Sequence, residues 1–245
     1  MKKKKIVFIS GSSSGLGFEL AKFFSNENYL VIMNGRNKKK LKNASKKIPS
    51  SYAIGGDLSN ENNCKTIFFK IKRKFSKLDL IICNAGIGNF KKTNNNIFFA
   101  FKNNFFNTVN TVNILSPLLK RPFSNIICIS SICGVENISG APKGYSLAKS
   151  ALNNYVKILS EELAKKKIRI NSVSPGNILF KKSVWEKKLI SNRRKTINYI
   201  NKQVPMKSFI YPKNVYDLVK FIIDKNNNLI TGSNFVIDGG QTKNI

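Results

Sequence analysis

Tyr145 and Lys149 stand four residues apart in GYSLAKSALNNYV, and Ser131 closes the apolar run NIICISS just upstream. The chain has 245 residues and no histidine, so the side chain that most often carries protons near neutral pH is missing. On a helix, positions i and i+4 share a face and their side chains can meet. A free phenol, with a pKa of about 10, moves protons poorly at pH 7. A neighbouring ammonium stabilises the phenolate and lowers that value. A phenol so tuned can protonate a carbonyl oxygen or take the proton from a hydroxyl. A serine hydroxyl beside it can hold the same oxygen. Such a trio predicts acid–base chemistry at a carbonyl or alcohol, provided the fold brings Ser131 to the helix.

The elements that must do this are legible as an alternation. Strands are expected at Ile6–Ile9, Tyr29–Met33, Ser51–Ile54, Leu80–Cys83, Ile126–Ile129, Ile168–Val173 and Phe235–Ile237. Between them lie helical patterns: Leu16, Leu20, Phe23 and Phe24 on one face, then Cys64–Phe75, Phe101–Leu119, Tyr145–Lys165 and Val215–Ile223. Near-continuous apolar strands alternating with helices predict a parallel sheet covered on both faces. No linker or repeat interrupts the pattern, so residues 1–245 read as a single doubly wound α/β domain. In such sheets ligands bind at the carboxyl ends of the strands. The turns bearing Gly, Asn and Ser fall at those ends.

The first of them, residues 10–17, reads SGSSSGLG and opens the first helix. Glycines there permit positive φ and let backbone amides approach a pyrophosphate at the helix N-terminus. The spacing lacks the lysine of a Walker A loop. It also matches GxSxG with Ser13 as nucleophile, but without histidine no triad can activate that serine. The second strand runs into Asn34-Gly35-Arg36, where an arginine suits the 2′-phosphate of NADP(H) and an acidic residue would suit NAD(H). NADP(H) is therefore the favoured cofactor.

Bulk composition narrows the partners. The net charge is +31, yet lysines are spread along the whole chain and form no single basic stripe with interleaved aromatics. That argues against specific nucleic-acid binding, although nonspecific attraction to polyanions at low salt is expected. Cys64, Cys83, Cys128 and Cys133 form no CxxC pair, and with no histidine a metal site is not expected. No apolar run approaches a membrane span. The start, MKKKKIVFIS, has too short an apolar stretch for a secretory signal and reads as a first strand. A cytoplasmic protein is expected.

Eight pieces in order resemble the short-chain dehydrogenase/reductases over nearly the whole chain: SGSSSGLG, GDLSN, CNAG, NNFFNT, ISS, YSLAK, NSVSPG and ITGSNFVIDGG. The likeness extends to the 3-oxoacyl carrier-protein reductases within that family. It implies a Rossmann-type fold and NAD(P)H-dependent interconversion of a carbonyl and a secondary alcohol. By resemblance, Tyr145 is the general acid/base and Lys149 lowers its pKa and binds the nicotinamide ribose. Ser131 holds the substrate oxygen and Asn104 anchors a water in the proton relay, with Asn103 the rival if the register slips by one. Gly11, Ser13, Ser14, Gly15, Leu16 and Gly17 should surround the pyrophosphate. Asp57 and Leu58 belong to the adenine end, Asn84, Ala85 and Gly86 to the adjoining strand end, and Pro175, Gly176 and Ile178 to the nicotinamide. Family members are commonly tetramers, so a homotetramer or homodimer is implied.

Two departures stand out. Phe180 occupies a position where the family often has a cofactor-contacting threonine, so this loop's conformation is not carried over from the resemblance. The Ser131-to-Tyr145 spacing is one residue longer than in many members. Residues 177–207 should form a substrate lid, with Trp185 toward the substrate among several lysines and arginines. The substrate is expected to be a small or carrier-bound carbonyl compound, either a 3-oxoacyl thioester or a sugar or polyol. A catalytically idle nucleotide-sensing or nucleic-acid-binding protein on the same fold is the rival reading, and the intact Asn104, Ser131, Tyr145 and Lys149 speak against it.

Overall fold

The computed structural model describes residues 4–88, 96–119 and 122–243. Seven strands form one sheet, all pairs parallel: β1 (Lys5–Ile9), β2 (Tyr29–Gly35), β3 (Ser51–Gly55), β4 (Leu80–Cys83), β5 (Ser124–Ile129), β6 (Ile168–Pro175) and β7 (Asn234–Ile237). Their order is β3-β2-β1-β4-β5-β6-β7. The order reverses between β1 and β4, and a crevice opens at the carboxyl ends there.

Because parallel strands bury both faces, alternate residues feed two cores. Phe8, Ile32 and Ile81 face one layer with Ile67, Ile71, Val112, Leu152 and Val156. Val7, Ile9, Val31 and Met33 face the other, with Leu20, Phe24, Val215, Val219 and Ile222. The first layer is α3 (Glu61–Phe75), α4 (residues 97–115) and α5 (Lys143–Lys165); the second is α1 (Gly15–Asn26), α2 (Lys38–Ser45) and α8 (Pro212–Ile223). Helix α4 is compound: Ile97–Phe101, a π-turn at Lys102–Phe106, then Asn107–Leu115. It therefore starts before the expected Phe101 and gives way to a 3₁₀ turn at Ser116–Leu118, where Pro117 cannot donate to the ladder.

Two further differences from the sequence reading concern helices. Helix α2 was not expected, since its eight residues bury only Leu41 and Ala44; the Asn37 side chain caps it by accepting from Lys40 N at 2.8 Å. The lid resolves into α6 (Val184–Ser191) and α7 (Arg193–Gln203), each started by a capping side chain, Ser183 and Asn192. They close on a small cluster of their own around Ile200, Val204 and Phe209. Among the described residues, no helix is long and apolar enough to cross a membrane.

Candidate active site

The glycine turn is built by backbone need. Gly11 and Gly15 have φ of +63° and +64°, a region that side chains disfavour. A Cβ on Gly11 would stand 2.8 Å from Ala85 Cα, and one on Gly17 would stand 2.4 Å from Asn84 Nδ2. Gly17 thus serves close packing, and it is turned away from the cavity that Gly11 and Gly15 line. Ser10, where the family usually has threonine, accepts from the backbone N–H of both Asn84 and Ala85 at 2.9 Å. Asn84 Nδ2 returns a bond to Ser10 O at 3.0 Å. The ends of β1 and β4 are fastened together at the switch point.

A cavity of about 500 Å³ runs from this turn across the ends of β2 and β3, lined by Gly11, Ser13, Ser14, Gly15, Leu16, Arg36, Asp57, Leu58, Asn84, Ala85 and Gly86. Its length along the strand ends and the bare backbone at Gly11 and Gly15 fit a dinucleotide, with amides toward its phosphates. Arg36 donates to Asn103 Oδ1 at 3.0 Å. Lys40, which sequence reasoning missed, lines the same end and donates to Ser14 Oγ at 2.9 Å. Two cations therefore flank the end of β2. The signal for Lys40 was the Asn37 cap, which sets the first turn of α2 against the glycine turn.

The Tyr145–Lys149 helix lies where the spacing put it. Tyr145 is in the first turn of α5, and Lys149 is one turn on and almost wholly buried. Lys149 Nζ donates to Ile129 O at 2.8 Å and stands 5.8 Å from the centroid of the Tyr145 ring. Ser131 caps the 3₁₀ turn Ile132–Gly134, accepting from Cys133 N at 3.2 Å, and it shares a hydrogen bond with Tyr145. A net lowering of the phenol, expected from the i, i+4 spacing, is not found. Burial pushes the Tyr145 pKa well up and the Cys133 thiol adds to this, while the Ser131 hydrogen bond pulls it back. Desolvation instead holds Lys149 down to about 8, with Cys128, Cys133 and Cys83 opposing.

Asn103 and Asn104 both lie within the π-turn, a local expansion often found at functional positions. Asn104 faces the Tyr145–Lys149 side: its Oδ1 accepts from Ile87 N at 2.9 Å, and its Nδ2 donates to Ala100 O at 3.0 Å. A Cβ on Gly86 would meet Asn104 Oδ1 at 3.0 Å and Lys149 Nζ at 3.9 Å, which measures how closely these groups converge. Asn103 belongs to the Arg36 side.

Three cavities join end to end. A middle one of about 200 Å³ is lined by Asn104, Ser131, Tyr145, Lys149, Pro175, Gly176 and Ile178. It shares Asn84 and Gly86 with the dinucleotide-sized cavity. It shares Ser131 and Tyr145 with a third cavity of about 300 Å³ under the lid, which Trp185 lines. Phe180 lines all three, and a Cβ on Gly15 would stand 3.1 Å from its ring. The longer Ser131-to-Tyr145 connection contributes Ile138, Ala141 and Pro142 to the third cavity. Tyr199, also missed, belongs to its wall, as does Lys188, one of the lid cations of the sequence reading.

The chain is similar to known proteins over nearly its whole length. The family model described as Enoyl-(Acyl carrier protein) reductase matches residues 11–242. The chain is 30% identical over 248 aligned positions to the 3-oxoacyl-[acyl-carrier-protein] reductase FabG of Rickettsia prowazekii, covering 97% of this chain and 96% of the relative. It is 28% identical to a glucose 1-dehydrogenase of Gluconobacter oxydans, covering 97% and 92%. Among solved structures, the L-sorbose reductase of Gluconobacter frateurii complexed with NADPH and L-sorbose superposes with a TM-score of 0.89 at 23% identity, covering 99% of this chain and 98% of that one. That last likeness speaks for the fold.

Proposed function

This chain belongs to the short-chain dehydrogenase/reductase family and is an NAD(P)-dependent oxidoreductase of carbonyls and alcohols, and from that we propose that it is an NADPH-consuming reductase of ketones or 3-oxoacyl thioesters with an apolar chain. The observation that carries the substrate class is the third cavity: Ile132, Ile138, Ala141, Pro142, Ile178, Phe180, Val184 and Trp185 make a largely apolar wall around Ser131 and Tyr145. A polyhydroxylated sugar would set hydroxyls against that apolar wall, at a cost of about 1–3 kcal/mol for each one left without a partner. An acyl chain would not.

Bound, the dinucleotide supplies a hydride to the carbonyl carbon. The chain's own residues handle the oxygen. The Ser131 hydroxyl donates to it and holds it near the phenol. Tyr145 gives it a proton, and its raised pKa makes that proton secure until negative charge develops on the oxygen. Lys149, with a pKa of about 8, is mostly an ammonium at pH 7. Its charge in a low-dielectric pocket stabilises the phenolate that is left. Asn104 holds a water through which the proton is replaced. Gly11 and Gly15 leave backbone bare for the pyrophosphate, and Asp57 and Leu58 take the adenine. The lid carries Trp185 over the substrate.

NADPH preference is assigned to Arg36 and Lys40 together, whose paired positive charge suits a 2′-phosphate. The working form is a cytoplasmic homotetramer or homodimer. Exposed Phe98 and Phe106 on α4, and Leu147 and Ile158 on α5, offer apolar area that a second copy would cover. Fluorescence titration with NADPH and NADH at physiological salt tests the reading. NADPH should bind more tightly, and Arg36→Ala with Lys40→Ala should cost it about 10- to 100-fold while NADH binding changes little. Equal affinity for both would remove the assignment of Arg36 and Lys40; binding of neither would refute the reductase reading.

A further inference from the structure

We infer that the lid cavity takes a carbonyl compound that also bears an anionic group, a carboxylate or a phosphate, and that Lys188 pairs with it. This rests on the reductase reading above and narrows its substrate.

Lys188 is on α6, and its Nζ stands 4.3 Å from the centroid of the Trp185 ring and 6.0 Å from that of Tyr199. The two rings stack on each other at 5.3 Å, and Trp185 also packs on Phe209 at 5.8 Å. The ammonium therefore rides on an aromatic platform and is already partly ordered, so an arriving anion costs less side-chain entropy than at an ordinary surface lysine. Polar ties anchor the platform: Gln241 Nε2 donates to Tyr199 Oη at 3.4 Å, and Asn177 Nδ2 donates to Gln241 Oε1 at 2.6 Å.

The same cavity of about 300 Å³ holds Ser131 and Tyr145, so a carbonyl site and an ammonium share one volume. Among the described residues that line it, Lys188 is the one with a formal charge at neutral pH. The wall between is apolar, which suits a short hydrocarbon spacer. Lys188 is exposed as a residue, and partial desolvation of its amine pulls it below its ordinary pKa. Lys187, one residue away, is exposed like Lys188 but lies outside the cavity wall, which makes it a control for bulk charge.

The test is kcat/KM with NADPH for straight-chain oxo acids having one to four methylenes between ketone and carboxylate, each paired with its methyl ester. A second arm uses the acetoacetyl thioester of pantetheine with and without its terminal phosphate. The wild type should prefer the charged partner in one arm, at one spacing for the acids, and the responsive arm identifies the source of the anion. Lys188→Met should lower kcat/KM for that charged substrate by about 10- to 100-fold, mainly through KM, and leave its neutral partner within about threefold. Lys188→Arg should restore most of the loss, and Lys187→Met should show none. Equal loss for charged and neutral partners, or a wild type that prefers the neutral member of every pair, would overturn the role of Lys188 and leave the reductase reading standing. A wild type that binds NADPH yet reduces no member of either arm would overturn both.

Discussion

Replacing Lys149 with Met should stabilise the protein at neutral pH while removing its chemistry. Burial lowers the Lys149 pKa from 10.5 to about 8. Each pKa unit is worth about 1.4 kcal/mol, so the buried ammonium costs the fold about 3 kcal/mol. Below about pH 8 both states hold the proton and the full cost is present. Between about 8 and 10.5 the unfolded chain binds more protons than the folded one, so stability rises with pH across that window. The Met variant escapes the penalty but leaves Ile129 O, now paired at 2.8 Å, without its donor, a loss of about 1–2 kcal/mol. The net expectation is a variant more stable by about 1–2 kcal/mol at pH 7. Its advantage should shrink by about 2 kcal/mol by pH 9.5. Urea unfolding of both proteins at pH 7 and pH 9.5, at one protein concentration, reads this directly. A variant that is no more stable at pH 7, or an advantage that does not change with pH, would refute the argument that desolvation sets the state of Lys149.

Three other outcomes follow from the same geometry. Arg169 is buried under the end of α8 and donates to four main-chain carbonyls, those of Ile222, Asp224, Asn227 and Ile230, so Arg169→Met should cost about 3 kcal/mol and lower Tm by about 6–12 °C in a thermal scan. Ser10→Ala frees the Asn84 and Ala85 amides and should weaken NADPH binding by about tenfold in the fluorescence titration, whereas Ser10→Thr should restore it. Gly11→Ala sets a Cβ against Ala85 at a positive φ and should abolish dinucleotide binding at concentrations where Gly140→Ala, also at positive φ but facing open space, still binds.

The sequence carried the strands and the buried helices because both faces of the sheet are apolar and the helices α1, α3 and α5 present clear apolar faces. The Tyr145–Lys149 pair was legible from a spacing of four, and Asn104 from its place among the ordered motifs. Helix α2 was not legible, since KKKLKNAS offers only Leu41 and Ala44 to a core. The π-turn left no mark, because KNNFF contains neither Gly nor Pro, yet it carries both asparagines, Asn104 on the Lys149 side and Asn103 on the Arg36 side. Lys40 and Lys188 read as two among many lysines, and only tertiary packing sets one by the glycine turn and the other on Trp185. The direction of the Tyr145 shift was misread for a related reason. Spacing shows that a lysine is near, but not that its ammonium is committed to Ile129 O or that the phenol is desolvated.

The central claim is that the Tyr145 hydroxyl gives and takes the proton, and Tyr145→Phe tests it most directly. NADPH-dependent reduction of a ketone accepted by the wild type should fall by at least about 10³-fold, while NADPH affinity in the fluorescence titration stays within about threefold. A Phe variant that keeps wild-type turnover would contradict the account.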